Sequence, residues 1–371
     1  MDKKVKLVKF ILVTLVVWGC TLLFVPTPVE AQKVWELKGQ SAWSPKLDTI
    51  WDPAPFVMNL IEKYTDGQVK MNLHSGGTFC PPMQEYDSVA SGDLDFGMGC
   101  PCYGKTTHLA IAMYCDSPGN IAGVEEIVWL YHGGGLKILQ DLFKKHYNSM
   151  VLPYGILTSE VFLYSNKPIN TWDDMVGLKM RAVGLRNQIY KYLGILPLAL
   201  GGGAIPGAMQ KGEIDAFEFA NIASGISLNF HEIARYIYYM PIKSAHSITI
   251  LTINLDVWNR FPKDVKEAIE KACYDSMMWT YTHCYEQDVL AMKKFADAGC
   301  ELRLMPEAVN KQFSEAAAKF YAIKAKTDPD IARVLESWDK FAGEYGKFAP
   351  FMEYLDKSPY FGLAVPYKEL R

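Results

Sequence analysis

The sequence predicts an α/β protein built as two related lobes. Three observations carry this expectation. Leu178, Met180 and Ala182 alternate with Lys179 and Arg181 at strand period, Gly184 breaks the strand, and residues 185–193 carry a helical pattern. The run Gly92-Asp-Leu-Asp-Phe-Gly97 is echoed by Gly212-Glu-Ile-Asp-Ala-Phe217. In each, a helix ends at glycine, an acid follows and a short apolar strand begins. Lastly, the stretch from Pro262 to Gly299 has no internal proline or glycine. A continuous helix there would be about 55 Å long, longer than the core of one lobe, so it is expected to run across both.

The elements follow in order. Strands are expected at 33–38 and 69–73, with a helix at 51–63 between them. Glycines and prolines make 75–82 a loop, and 84–91 reads as a short helix. Gly133-Gly-Gly135 is a helix start or kink and not a phosphate loop, because no Gly-Lys-Ser/Thr follows. Residues 150–152, stopped by Pro153, and 161–164 read as strands flanking a crossover between lobes. Thr171, Asp173 and Asp174 suit a helix start. A Gly-Gly-Gly turn at 201–203 leads to the strand 214–219, residues 247–254 form a strong strand, and the chain beyond Pro306 looks helical.

Arg181 stands at a strand end beside the start of the next helix, and Glu218 closes a second short strand. Open α/β sheets bind ligands beyond the carboxyl ends of their strands, and helix N-termini favour anions. Alone, either residue would read as an exposed strand charge. Together they suggest a carboxylate held beside a cation.

Of the 371 residues, 50% are apolar, and the formal charge is −3. That balance gives no sign of nucleic-acid binding. Residues 1–31 read as an export leader, with lysines 3, 4, 6 and 9, an apolar run from Phe10 to Val25, and a cleavage signal at Val29-Glu30-Ala31. An uncleaved anchor is the alternative. Without Cys20, seven cysteines remain, and small buried side chains, with at most one disulfide within 80–115, are the expected use. Cys100-Pro101-Cys102 lacks the spacing of a zinc site. The seven histidines are scattered, and no nucleophile elbow, His-Glu-x-x-His or dinucleotide fingerprint occurs.

Gly177-Leu-Lys-Met-Arg181, Gly184, Ala208-Met-Gln-Lys-Gly-Glu-Ile-Asp215 and Glu218 resemble the solute-binding proteins of tripartite ATP-independent periplasmic (TRAP) transporters, the DctP family. The resemblance covers the chain beyond the leader. It implies a periplasmic-binding-protein fold: lobe I from 32–158 plus 247–286, lobe II from 159–246 plus 287–371, hinges near Thr158 and His246, and a long helix across both. It implies a periplasmic receptor, not an enzyme, that hands a small organic acid to TRAP membrane subunits. A subunit serving a sensor or an ATP-driven importer is the alternative, and a homodimer stays open. Arg181 is the implied carboxylate clamp. Trp43 and Tyr103 match cleft-wall positions. The pattern is most similar to the subgroup that takes 2-oxo or 2-hydroxy monocarboxylates with a metal ion. Three positions depart from it: Phe219 for Trp, Glu160 for Gln, and Ser244 where a further acid is expected.

The implied metal ligands are Glu218, Glu160 and the Phe219 carbonyl. Two ionised glutamates and a ligand carboxylate against Arg181 leave a net charge of about −2, too costly to bury unpaired. A divalent ion cancels it, and an all-oxygen set suits Ca²⁺. The alternatives are Na⁺ or no ion at all, with Glu160 protonated or receiving an amine of the ligand.

Overall fold

The structure, a computed structural model, describes residues 33–104, 108–115, 118, 121, 123–240 and 247–348, without the side chains of Asp48 and Val124. The leader with its cleavage site, Ser244 and His246 lie outside the described residues. Two sheets organise the chain. The first has the order β2 (Val69–His74), β1 (Trp35–Ser41), β3 (Phe96–Gly99), β10 (Ile248–Asn254), β4 (Ser149–Ile156). The second runs β11 (Glu301–Leu304), β9 (Tyr236–Tyr239), β5 (Val161–Ser165), β8 (Ala216–Phe219), β6 (Lys179–Arg181), β7 (Leu196–Leu198). The short strands β7, β9 and β11 were not anticipated. Each is only three or four residues long, too short for a periodic signal.

The glycine echo has a structural counterpart. Gly92 and Gly212 both end helices with positive φ, 85° and 67°, a conformation that favours glycine. Three residues on, Asp95 and Asp215 do the same work. Asp95 Oδ2 accepts the Lys38 amide at 2.8 Å, and Asp215 Oδ2 accepts the Lys179 amide at 3.1 Å. Each fastens the strand it begins to a neighbour: β3 runs parallel to β1, and β8 parallel to β6.

Pro153 does not stop β4. It pairs with Ile250, and the register slips between Thr249 and Ile250. An irregularity of this kind lets proline, which has no N–H to give, sit inside a sheet. Gly133 ends the helix Val124–His132, and Gly134, at φ 88°, starts the helix Gly135–Tyr147.

Among the described residues the chain passes between the sheets three times: at 157–160, before β10, and along the helix Lys263–Asp297. That helix has 35 residues, about 52 Å at 1.5 Å per residue. Its buried residues Ile269, Cys273, Met277, Thr280, Cys284, Asp288, Ala291 and Phe295 recur every three or four positions, one continuous face. The helix packs on β4 and the helix Pro53–Tyr64 in lobe I, and on the helix Ile222–Ser227 and β11 in lobe II. No helix among the described residues is long and apolar enough to cross a membrane.

Candidate functional site

Arg181 is the last residue of β6, where it lies level with Phe217 of the parallel β8. Strand period then puts Arg181, Phe217 and Phe219 on one face of the sheet and Glu218 on the other. The Arg181 guanidinium stands over the Phe219 ring at 5.4 Å. Its Nε donates to the Leu200 carbonyl at 2.9 Å and its Nη1 to the Glu218 carbonyl at 2.7 Å. Two neutral carbonyls thus hold the plane of the guanidinium in a fixed direction.

The Gly201–Gly203 turn follows Leu200 directly and packs against the Phe219 ring. A Cβ on Gly202 would meet the Phe219 ring at 2.5 Å, so no larger residue fits while that ring keeps its place. None of these three glycines has a positive φ; at Gly202 the requirement is one of space, and Gly201 and Gly203 have open space where a Cβ would stand.

A small cavity opens beyond the carboxyl ends of β6 and β8. It is lined by Trp43, Tyr103, Glu160, Arg181 and Phe219, five of the six residues that the sequence singled out, and by Arg186 and Cys115. Trp43 Nε1 donates to the Tyr103 hydroxyl at 3.4 Å, with the rings edge-on at 6.0 Å. Burial pushes the Tyr103 hydroxyl well above its ordinary pKa, so it remains a neutral donor. Glu160 stands in the first crossover, between β4 and β5.

Glu218 is not among the lining residues. It is fully buried behind the sheet face, where its carboxylate accepts the Val183 amide at 3.4 Å and the Tyr190 hydroxyl at 3.3 Å. The helix start that was expected to favour an anion therefore faces this side chain.

Arg186, one turn into the helix Gly184–Tyr192, went unremarked in the sequence. Its Nη1 donates to Glu160 Oε2 at 2.7 Å, and its Nε lies 2.9 Å from Glu218 Oε2. The second contact is ionic rather than an aligned hydrogen bond. Arg186, Glu160 and Glu218 are respectively 3%, 6% and 0% exposed, so each charge requires a partner. Ser247 completes the group: its hydroxyl donates to Glu160 Oε1, and it also contacts the Cys115 carbonyl at 2.9 Å. Cys102 Sγ and Cys115 Sγ lie 3.2 Å apart in the same wall.

The family model described as bacterial extracellular solute-binding protein, family 7 (DctP) matches residues 41–327. The chain belongs to this family. The monocarboxylate 2-oxoacid-binding periplasmic protein of a Nostoc species is 26% identical over 306 residues, 81% of this chain and 82% of that protein. A TRAP transporter solute-binding protein from Bordetella bronchiseptica is similar in structure, with a TM-score of 0.84, 24% identity, and 90% and 99% of the two chains covered. It was solved as a dimer with copurified calcium and picolinate. A TRAP periplasmic solute-binding protein from Pseudoalteromonas atlantica has bound sodium and pyruvate, with a TM-score of 0.81, 21% identity, and 87% and 99% covered. At these identities the likeness concerns the two-lobed fold.

The ion seen in those structures does not fit the donor set here. Both carboxylates that would hold it are already paired with Arg186, one of the residues that line the cavity.

Proposed function

We propose that this protein is an extracytoplasmic receptor that closes on a small organic acid, of the 2-oxo or 2-hydroxy monocarboxylate kind, and delivers it to a TRAP-type secondary transporter. One observation carries the reading: a buried arginine, aimed by two carbonyls, lines a cavity walled by Trp43, Tyr103 and Phe219. A guanidinium can grip a carboxylate with two parallel N–H groups, and Trp43 and Tyr103 offer an apolar body with a polar tip to the rest of a small acid. The neighbouring 2-oxoacid-binding relative supports the ligand class. The protein works as a receptor, without turnover, in the periplasm after removal of residues 1–31. Its lobes are 32–158 plus 247–286 and 159–246 plus 287–371. Calorimetry with a panel of 2-oxo and 2-hydroxy acids tests the proposal. At least one is expected to bind to the wild type and not to Arg181→Ala; no binding by any member of the panel would sink it.

A further inference from the structure

We infer that the guanidinium of Arg186 takes the place of a metal ion in this site, so that the cleft closes on its ligand without calcium or sodium. For the ligand this rests on the carboxylate-receptor reading; for the ion it stands on geometry alone. An ion bound by Glu160 and Glu218 would have to sit between their carboxylates. Arg186 already does so, with Nη1 at 2.7 Å from one and Nε at 2.9 Å from the other.

The charges are consistent with this. Arg181, Arg186, Glu160 and Glu218, all buried, sum to zero. Without Arg186 they would sum to −1, and to −2 with a monocarboxylate bound, the deficit that a divalent ion cancels. With Arg186 present, calcium would leave +1 and its omission −1. The sum alone does not decide, and the occupied position does. Glu160 fits the same account. The resemblance puts a neutral glutamine there, and the glutamate adds a buried negative charge that Arg186 meets directly. For a metal to enter, one partner of a buried ion pair would have to be pulled away from its counter-charge, which is strongly unfavourable.

The test uses the full mature protein and metal alone. After exhaustive dialysis against chelator, the wild type is titrated with Ca²⁺, and with Tb³⁺ as a luminescent stand-in that Trp43 and Tyr103 can sensitise. No saturable uptake is expected up to about 1 mM, the weak end of protein calcium sites. The melting temperature should not change on adding chelator or on replacing sodium by choline. Arg186→Gln removes the guanidinium from between the two carboxylates and is expected to gain saturable Ca²⁺ binding, which the added change Glu160→Gln should remove. A saturable wild-type site, or a melting temperature that falls in chelator or without sodium, overturns the inference. So does a folded Arg186→Gln protein that gains no site. If that variant does not fold, the wild-type titrations still decide. Failure of every organic acid to bind would count against the receptor reading and leave the ion result standing.

Discussion

At the scale of single residues, the site rests on two arginines with different work. Arg181 has carbonyl partners and faces the cavity; Arg186 is bracketed by two carboxylates. Removing one partner of a buried, hydrogen-bonded charge pair costs roughly 2–5 kcal/mol. For whichever acid binds the wild type, Arg181→Ala should therefore weaken affinity by about 30-fold to several thousand-fold. Arg181→Lys should also bind poorly, because an ammonium cannot make the planar two-pronged contact. Calorimetry checks both, and an alanine variant within about threefold of wild type would refute the clamp. The cavity wall makes a separate prediction. Mild oxidation with diamide should join Cys102 to Cys115, whose sulfurs stand 3.2 Å apart. Peptide mapping that finds another pair among residues 80–115 would contradict it.

At the scale of elements, the long helix carries a buried acid that ties the lobes together. Asp288 accepts from Thr158 in the first crossover, from the Asn221 side chain at 2.8 Å and from the Ala223 amide at 3.0 Å. Burial raises its pKa from 3.8 to about 6, against the lowering effect of those hydrogen bonds. The folded protein therefore holds this proton more tightly than the unfolded chain does. The resulting stabilisation is complete below about pH 4 and is lost as the pH rises to about 6, on the order of 3 kcal/mol in all. Asp288→Asn should abolish that part of the pH dependence. The stability difference between the two proteins, from urea unfolding at pH 4, 5, 6 and 7, should move in the variant's favour as the pH rises. A constant difference across the range would rule this out.

For the whole molecule, the predicted motion is closure of one lobe on the other. Among the described residues three chain passages link the sheets, and bending at such passages is the expected form of closure. Thr49 Oγ1 and Ser224 Oγ, 2.9 Å apart, are already in contact between the lobes. Small-angle scattering with and without a binding acid should show a smaller radius with ligand. An unchanged radius at saturation would argue against a hinge.

Much of this protein was legible in its sequence because the signals are local. Strand and helix periods, the Gly–acid–strand echo and the uninterrupted 262–299 stretch depend on neighbours in the chain. So does the motif around Gly177–Arg181, which singled out Arg181 and led to Trp43, Tyr103, Glu160 and Phe219; all five line the same cavity. What tertiary structure alone decided is how charges from different elements meet. Strand period separates Glu218 from Phe217 and Phe219, but only the pairing of Arg181 with Phe217 shows which of them shares the arginine's face. Arg186 lies on a helix, and nothing local indicates that its guanidinium reaches a crossover carboxylate 26 residues away in sequence and a second one on a strand. Electrostatic balance is a property of the packed interior, where each charge acts on all others through a low dielectric. A count of charges from the motif residues alone leaves out Arg186, whose guanidinium only the packing places between the two carboxylates.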